Sequence, residues 1–508
     1  MSRKVLIAVC FAGLVWSASH AASLYAQAGP DWAQWGRKPQ HTGATPALGQ
    51  SPDTQLADVT FDPFTQAEMA ESGGDLLAHY QAPLVDGAKV FLEFESGRYK
   101  PCDPPGSGMP YPCGPDAWDL QIWNERAFAW KNGALATLWN FQSDWKPEPN
   151  GRGYSGLGGW EPVFHAALSN GYVFVPGFSG SIYKLNEADG TPVAHIAPFG
   201  TSDSNVFVSG PLTVDHSGNV YYNALKLDPS NPWGADVKGA WLVRVTAGGR
   251  VAAVKYTTLV PNAPASGGTS DAPCGSQRPG VNVAPAISID GQTVYTVSRA
   301  QLCSSQSYVV AVDAKTLAPV WQTTLNQHGA AGWVADQSSS TPSVAPDGSV
   351  FYGALGGNGS RGYLMKFSST GQFLVSYSFG WDETPAVYAH DGTYSLIIKD
   401  NHYDTGGPYY ITQLSSDLQI EWQFKNTTID RDHPDGYEWC VNAPAVDADG
   451  TVYANSEDGN VYVIDPGGTL KGNIFLRLAV GAAYTPIAVG FDGKIYTEND
   501  GDMFVVGN

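Results

Sequence analysis

The sequence predicts an all-β protein, an eight-bladed β-propeller built from four-stranded antiparallel blades. Three observations predict it: a strand-turn-strand unit recurs along the chain, each copy holds a tight turn, and helical periodicity is nearly absent. Each copy opens with a proline, and the spacing of 42 to 79 residues is that of one supersecondary unit per repeat. The eight prolines are Pro83, Pro162, Pro211, Pro285, Pro342, Pro385, Pro444 and Pro486.

Each repeat has the pattern of a β-hairpin. A short apolar strand leads to an Asp-Gly, Asn-Gly or Ser-Gly turn and a second alternating strand, as in TPSVAPDGSVFYG. Such turns between apolar runs are a strong hairpin signal, and proline at a strand's first residue removes no ladder hydrogen bond. Most repeats continue into a second hairpin, and tryptophan recurs late in it at Trp139, Trp321 and Trp422. Sheets this small cannot bury both faces alone, so we expect them to pack radially.

The ends of the chain indicate how the ring closes. The last repeat stops at Asn508 after only three strands. We therefore expect residues 56–64, LADVTFDPF, to supply the missing fourth strand. This divides the mature chain into an N-terminal extension, 29–53, and a single propeller, 54–508. One short helix is expected over residues 68–79.

Residues 1–28 have the pattern of a secretory signal peptide. Two basic residues precede an apolar run at 5–16, and small residues offer cleavage after Ala21 or Ala28. The run is shorter than the ~20 apolar residues that span a bilayer, and no later segment is apolar enough to do so. The sequence therefore predicts an exported protein, periplasmic or extracellular, without a transmembrane segment.

The composition narrows the range of partners. The formal net charge is -20, with 28 Lys and Arg against 48 Asp and Glu. A nucleic acid or an anionic membrane needs a basic footprint, so both are disfavoured as partners. A small molecule, a glycan or a protein remains as the expected partner.

Five cysteines follow the signal peptide, and export permits disulfides. Cys102 and Cys113 bracket a Pro/Gly-rich loop and form the first expected disulfide. Cys274 and Cys303 form the second, which leaves Cys440 over. None of the spacings is that of a zinc knuckle or a haem attachment site.

The strand order assigns the loops to two faces of the propeller. Turns within hairpins share one face, which we call the tight-turn face because nearly all of them are short. Loops between hairpins and links between blades share the other, the looped face. The long segments on it are 96–118, 143–160, 224–239, 260–281 and 399–408. Long loops on a rigid scaffold usually carry binding sites, so the looped face is the predicted functional face.

Residues near the repeat prolines are expected to line the channel mouth on the looped face. Aromatic faces with a few carboxylates and amides suit a flat or sugar-like ligand. Asn282, Asp382 and Glu161 are candidate oxygen ligands for a hard cation such as calcium, the alternative being solvated rim charges. The predicted ligand-binding residues are Trp160, Glu161, Asn282, Trp381, Asp382, Glu383, Trp439, Asn442 and Tyr484.

Eight blades with aromatic docking positions, preceded by DWAQWGRKPQHTG after a signal peptide, resemble the PQQ-like (quinoprotein alcohol dehydrogenase-like) β-propeller repeat superfamily. The resemblance covers essentially the whole mature chain. Its enzymatic members are PQQ- and calcium-dependent dehydrogenases of alcohols or sugars, and its non-enzymatic members include a propeller subunit of the bacterial outer-membrane assembly machinery. This sequence departs from the enzymes because it has no adjacent cysteine pair, no cytochrome motif and only fragments of their docking motif, such as AVDAKTLAPVW.

Three hypotheses follow. The first is an exported, non-catalytic propeller that binds a ligand or protein on the looped face. The second is a PQQ- and calcium-dependent dehydrogenase, in which Asp382 would take the alcohol proton while Glu161 and Asn282 would hold the metal. The third is a carbohydrate-binding or carbohydrate-active propeller that uses the mouth tryptophans as platforms. The departures from the enzymes favour the first.

Overall fold

The chain folds into eight antiparallel blades arranged as a β-propeller, as the sequence predicts. The structure is a computed structural model. It describes residues 31–508 with the exception of 72–73, 75, 78, 101–117, 119, 150–161, 265–272, 328–329, 337–339, 357–361, 381–382, 402–406, 440 and 482–485.

Strand β1 (Thr54–Thr60) precedes the first blade in the chain. The first blade is β2 (Leu84–Asp86), β3 (Lys89–Gly97), β4 (Gln121–Lys131) and β5 (Ala134–Gln142). The second is β6 (Ala167–Ser169), β7 (Tyr172–Pro176), β8 (Ile182–Asn186) and β9 (Pro192–Ile196). The third is β10 (Val206–Val208), β11 (Thr213–Val214), β12 (Val220–Lys226), β13 (Gly239–Val245) and β14 (Val251–Lys255). The fourth is β15 (Gln277–Pro279), β16 (Ala286–Ile287), β17 (Thr293–Ala300), β18 (Ser307–Asp313) and β19 (Pro319–Thr324).

The remaining four blades continue the same order. The fifth is β20 (Asn326–Gln327), β21 (Ala330–Trp333), β22 (Ser343–Val344), β23 (Val350–Gly356), β24 (Gly362–Phe367) and β25 (Phe373–Phe379). The sixth is β26 (Ala386–His390), β27 (Thr393–Asp400), β28 (Tyr410–Ser415) and β29 (Ile420–Lys425). The seventh is β30 (Ala445–Val446), β31 (Val452–Asn455), β32 (Asn460–Ile464) and β33 (Leu470–Phe475). The eighth is β34 (Ile487–Val489), β35 (Ile495–Asn499) and β36 (Asp502–Gly507), completed by β1.

Burial falls from the channel outward within a blade. Strand β23, an inner strand of the fifth blade, is buried along its whole length, because neighbouring blades cover both of its faces. The outer strand of the seventh blade, β33, alternates between exposed and half-buried residues. Inner strands therefore tolerate polar side chains only where these have partners or a function.

The prediction that an N-terminal strand closes the ring is confirmed. Strand β1 pairs antiparallel with β36, from Thr54 opposite Gly507 to Thr60 opposite Asp502. The strand begins two residues before the predicted segment and stops at Thr60, because the amide of Phe61 turns to donate to the carbonyl of Gly501. The first and last strands of the propeller thus share one sheet.

The helical content is small, with α1 (Thr65–Glu71) and α2 (Tyr256–Leu259). Helix α1 begins earlier than predicted because Asp62 accepts the amide of Phe64 and starts the turn, and it ends before Gly74, whose φ is 106°. Helix α2 was not predicted. Neither helix is long and apolar enough to cross a membrane, and the described residues contain no other candidate span.

The recurring tryptophans dock each blade against the next one. The indole Nε1 of Trp139 donates to the carbonyl of Glu187 at 2.9 Å, and that of Trp321 donates to Ser369 at 3.0 Å. Each ring lies against a turn glycine where a Cβ would come within 2.5 to 2.8 Å of it. These glycines are Gly190, Gly371 and Gly468, opposite Trp139, Trp321 and Trp422 respectively.

Residues 31–50 run around the inside of the ring near the tight-turn face, a path that the sequence did not indicate. They contact the innermost strand or first turn of all eight blades in chain order, mostly through backbone carbonyls. The contacts are Trp32 with Val85, Ala33 with Leu168, Gln34 with Val214, Pro39 with Ile287, Gln40 with Val344, Thr42 with Val387, Gly43 with Val446, and Gln50 with Gly493. The N-terminal extension therefore crosses the tight-turn end of the channel.

The axis of the propeller is filled by an apolar plug. Trp35 from the extension is 0% exposed and packs with Tyr80, Val163, Ala284 and Ala443. These four residues precede or begin the inner strands of four different blades. The buried ring of His165 also meets Trp35 edge to face, with 6.0 Å between the ring centroids.

Candidate functional site

The predicted mouth residues divide into two groups. Five of them fall outside the described residues, so their roles remain predictions, including that of the candidate base Asp382. Four are described and lie in the links or strand starts at the looped end. The first group is Trp160, Glu161, Trp381, Asp382 and Tyr484, and the second is Asn282, Glu383, Trp439 and Asn442.

The structure places all four described residues within the channel wall, each at most 2% exposed. Asn442 accepts the backbone amide of Thr384 at 2.6 Å and thereby joins the links of two neighbouring blades. Trp439 exchanges two backbone hydrogen bonds of 3.1 Å with the side chain of Asn401. Its ring is enclosed by other aromatic rings, so in this conformation it presents no stacking surface to solvent.

Asn282 and Glu383 hold strained or crowded positions in the same wall. Asn282 has a φ of 68°, and its buried side-chain nitrogen has no hydrogen-bond acceptor among the described residues. The carboxylate of Glu383 accepts the backbone amide of Lys399 at 3.4 Å. Its backbone forms a bridge with Gly353, where an added Cβ would meet the Glu383 carbonyl. These contacts fix the wall of the channel at its looped end.

The described residues do not fit the calcium-quinone centre that the resemblance implies. Calcium needs several convergent oxygen ligands. No three acidic, histidine or cysteine side chains converge on a metal position within the described ranges. The oxygen of Asn442 is already used by a backbone amide, and the orphan atom of Asn282 is a nitrogen donor, which a cation does not bind. Glu161 and Asp382, the other metal candidates, lie outside those ranges.

A cluster of buried carboxyl groups lies at the looped end of the first blade, beside the eighth. We call it the acidic cluster. Glu93 and Glu95 alternate on β3, so they share one face, and Glu125 on β4 stands directly opposite Glu93. Every member is at most 3% exposed. The cluster is Asp62, Glu68, Glu93, Glu95, Glu125 and Glu498.

Only part of the cluster has hydrogen-bond donors. The carboxylate of Asp62 receives the Thr65 hydroxyl at 2.9 Å and lies 3.3 Å from the His79 ring nitrogen. By contrast, the carboxyl oxygens of Glu498 meet no donor among the described residues, and those of Glu95 meet only the carboxyl of Glu93. A buried carboxyl without a donor costs several kcal/mol, which proteins tolerate mainly at functional sites.

Burial controls the protonation of the cluster. It raises the pKa of Glu125 to about 8 and holds the pKa values of Glu93, Glu95 and Glu498 well above the usual range. The charges of Asp62 and Glu93 raise the pKa of Glu95 further. These groups therefore favour the neutral, protonated form near neutral pH. The sequence gives one signal for them, the alternating FLEFE of β3, which reads as a strand with one solvated face.

A second buried charge network joins the fourth and fifth blades at the looped end. Arg278, at most 1% exposed, binds both carboxylate oxygens of Asp336, at 2.8 and 2.6 Å. Arg299 adds a contact of 3.1 Å to the same carboxylate. Burial lowers the pKa of Arg299 to about 10. The link that carries Asp336 is therefore anchored by two cations.

Replacing Asp336 by alanine is expected to lower the free energy of unfolding by about 3–5 kcal/mol, because it leaves Arg278 and Arg299 buried without a counter-charge. Urea unfolding followed by circular dichroism measures the change. The matched control is Asp417→Ala, since Asp417 is exposed and its backbone is not in the left-handed region. Equal midpoints for the two variants would contradict the assigned role of Asp336.

One predicted disulfide is present. Cys274 and Cys303 are bonded, with their Cα atoms 4.8 Å apart. The bond ties the segment before β15 to the loop between β17 and β18, both on the looped face. The other predicted pair, Cys102 with Cys113, and the leftover Cys440 lie outside the described residues.

Neither a protein-family model nor a curated protein matches the chain. Among solved structures, it resembles a europium-containing methanol dehydrogenase at 12% identity and a TM-score of 0.57, over 94% of this chain and 91% of that one. It also resembles a quinohemoprotein alcohol dehydrogenase from Pseudomonas putida at 13% identity and a TM-score of 0.55, over 94% and 76% of the two chains. At this identity the likeness defines the fold. The fold that the chain shares with them is that of an eight-bladed β-propeller.

Proposed function

We propose that the protein is an exported, non-catalytic propeller that binds its ligand or protein partner on the looped face. The observation that carries the proposal is the acidic cluster at that end of the first and eighth blades, in which Glu498 lacks a described donor and Glu95 meets only the carboxyl of Glu93. The opposite end of the channel is crossed by residues 31–50, which supports entry from the looped side. Perturbed, buried carboxyl groups are characteristic of functional sites.

The chemistry of the cluster favours a ligand rich in hydrogen-bond donors. Hydroxyl or amine groups would supply the donor that Glu498 lacks and further donors to Glu95, and an amine would also offset charge if the carboxyls ionise. An anionic ligand would add to the repulsion already present between the acidic groups. PQQ is a tricarboxylate, so this cluster opposes it. Sugars and amino sugars match the cluster and keep the carbohydrate-binding hypothesis within the proposal.

The test is a tryptophan-fluorescence titration of the mature protein with a glucosamine hexamer and with cellohexaose, which share a backbone and differ in the amine. We expect a saturable change with at least one of them. Glu95→Gln is expected to weaken that binding at least fivefold. The matched control, Glu421→Gln on the outer strand β29, is expected to bind like the parent protein because Glu421 is exposed there.

Two results would overturn the proposal. If neither oligomer binds, a donor-rich glycan is not the ligand. If an oligomer binds but Glu95→Gln and Glu421→Gln have equal affinity, the acidic cluster is not the site. The hexamer that binds more tightly identifies whether the amine or the hydroxyl groups are recognised.

The second candidate function, a PQQ- and calcium-dependent dehydrogenase, is supported by the fold shared with the two alcohol dehydrogenases. Asp382 would be the base, with Glu161 and Asn282 holding the metal. A PQQ titration with and without calcium tests it, together with alcohol-dependent reduction of a redox dye. Saturable quenching that requires calcium and weakens in Asp382→Ala would establish this function in place of the first.

Export is the remaining part of the proposal and rests on the signal-peptide pattern. We expect the protein in the periplasmic fraction or the medium, with its N-terminus at Ala22 or Gly29. Intact mass measurement of the purified protein decides this. A full-length chain that starts at Met1 in the cytoplasmic fraction would contradict export.

A further inference from the structure

The centre of the tight-turn face holds a cavity of about 580 Å³. Its floor is part of the N-terminal extension and includes Arg37 and Lys38, and its walls come from the fourth to seventh blades. The volume lies within the roughly 300–1,000 Å³ of typical small-molecule pockets. This site is on the face opposite the acidic cluster and is independent of the proposed function.

Neither cation on the floor forms an ion pair with a described residue, although the negative charge of Asp31 acts on Arg37. Arg37 donates to the backbone carbonyls of Asp31 and Ala44, at 3.0 and 2.9 Å. The backbone of Lys38 is hydrogen-bonded to Gly36 and His41, but its side-chain ammonium has no hydrogen bond or ion pair with the described part of the chain. In a protein with 28 basic and 48 acidic residues, two adjacent half-buried cations without a salt bridge are unusual. A bound anion would supply the missing counter-charge.

The charges around Lys38 also favour the binding of an anion. Burial and, to a smaller extent, the neighbouring charge of Arg37 lower the pKa of Lys38 to about 8, with no carboxylate acting in the opposite direction. Asp447 also lines the cavity, and its carboxylate, which accepts the Gly49 amide at 3.0 Å and the Tyr453 hydroxyl at 2.9 Å, offsets one of the two positive charges. The cavity thus presents positive charge that an anion can reach.

The residues of the cavity walls indicate that the ligand also has an apolar part. Ile289, Val344, Val387 and Ala389 give the cavity an apolar side next to the cations. We propose that this cavity binds a small organic anion, whose carboxylate or phosphate group pairs with Lys38 and Arg37 while its apolar body packs on the walls. The shared chemistry is one anionic head on a short apolar chain.

Isothermal titration calorimetry with hexanoate, hexyl phosphate and neutral hexanamide tests the proposal. We expect one or both anions to bind at least tenfold more tightly than hexanamide, and the tighter one identifies the head group. Lys38→Met, which keeps the length of the side chain, is expected to weaken anion binding at least tenfold. The matched control, Lys425→Met on the exposed end of β29, is expected to leave it unchanged.

A second variant separates loss of binding from loss of folding. Ala389→Trp fills the cavity from an exposed position on β26 without touching either cation, and it is also expected to abolish binding. Absence of anion binding, equal binding of hexanamide, or equal affinity of the Lys38→Met and Lys425→Met variants would each overturn the proposal.

Discussion

Replacing Trp35 by alanine is expected to lower the free energy of unfolding by about 4 kcal/mol, because it empties the apolar plug on the propeller axis. Trp35 is 0% exposed and packs against residues from four blades, including Tyr80 and Ala284. Neighbouring strands are already hydrogen-bonded and cannot move inward to fill the space, so most of the cavity remains. The loss is therefore expected near the upper end for large-to-small substitutions.

Urea unfolding at equilibrium measures this change. Leu48→Ala is the matched control, since Leu48 belongs to the same extension but is 61% exposed. The control is expected to change stability by less than about 0.5 kcal/mol. A Trp35→Ala variant as stable as the control would mean that the extension does not fill the channel.

Stability is expected to fall as the pH rises from 6.5 to 8. The folded pKa values of Glu93, Glu95, Glu125 and Glu498 are raised above the ordinary value of 4.5, so the folded state binds these protons more tightly than the unfolded state. Their stabilising effect is complete below about pH 4.5 and is lost as the pH approaches the folded pKa, about 8 for Glu125. Each such proton contributes a slope of about 1.4 kcal/mol per pH unit.

The buried histidines change the stability in the opposite direction, and they do so at lower pH. Burial lowers the pKa of His41 and of His165 to about 4, so their stabilising effect is lost as the pH falls from 6.5 toward 4. Between pH 6.5 and 8 both are neutral in the folded state, and the acidic groups set the direction of the slope. A maximum of stability is therefore expected on the acidic side of neutrality.

The Glu95→Gln variant tests whether the buried acidic groups cause the fall of stability with rising pH. The amide keeps the shape of the carboxyl without its charge, so the variant is expected to be more stable than the parent at pH 8 and to have a shallower slope. Thermal unfolding at a series of pH values measures both. Glu421→Gln is the control, and parallel curves for parent and Glu95→Gln proteins would contradict the burial of an uncompensated Glu95.

The blades could be predicted from the sequence because a local pattern of residues specifies each of them. Alternating strands, turn glycines and a docking tryptophan such as Trp321 occur within one repeat and specify it almost independently. Ring closure followed from counting, since the last repeat lacked one strand. Among the local elements, helix α2 was not predicted, and the ends of α1 differed because Asp62 and Gly74 set its limits.

The path of the extension could not be predicted in the same way. Residues 31–50 attach to the blades mainly through backbone carbonyls, for example those of Pro39 and Thr42, and a carbonyl leaves no side-chain signature in the sequence. The acidic cluster was missed for a related reason. Glu93 and Glu95 alternate like the solvated side of an ordinary strand, but an inner strand of a propeller is covered on both sides.

The sequence placed the mouth residues at the looped end but did not predict how their side chains are packed. Trp439 and Asn442 lie at the looped end, where the repeat placed them, yet both are buried and engaged with neighbouring links. Their positions along the chain fixed the end of the channel but not the direction of each side chain. The binding roles of Trp160, Trp381 and Tyr484 remain predictions.

Hydrogen-deuterium exchange of the mature protein is the most direct test of the central claim, that the N-terminal extension crosses the tight-turn end and leaves the looped face for binding. The account predicts that the amides of Ile287, Val344 and Val387, which donate to carbonyls of residues 39–42, exchange as slowly as those within β23. Truncation of residues 29–50 is expected to make these amides exchange faster. Rapid exchange of the same amides in the intact protein would contradict the account, because the channel would then be open at both ends.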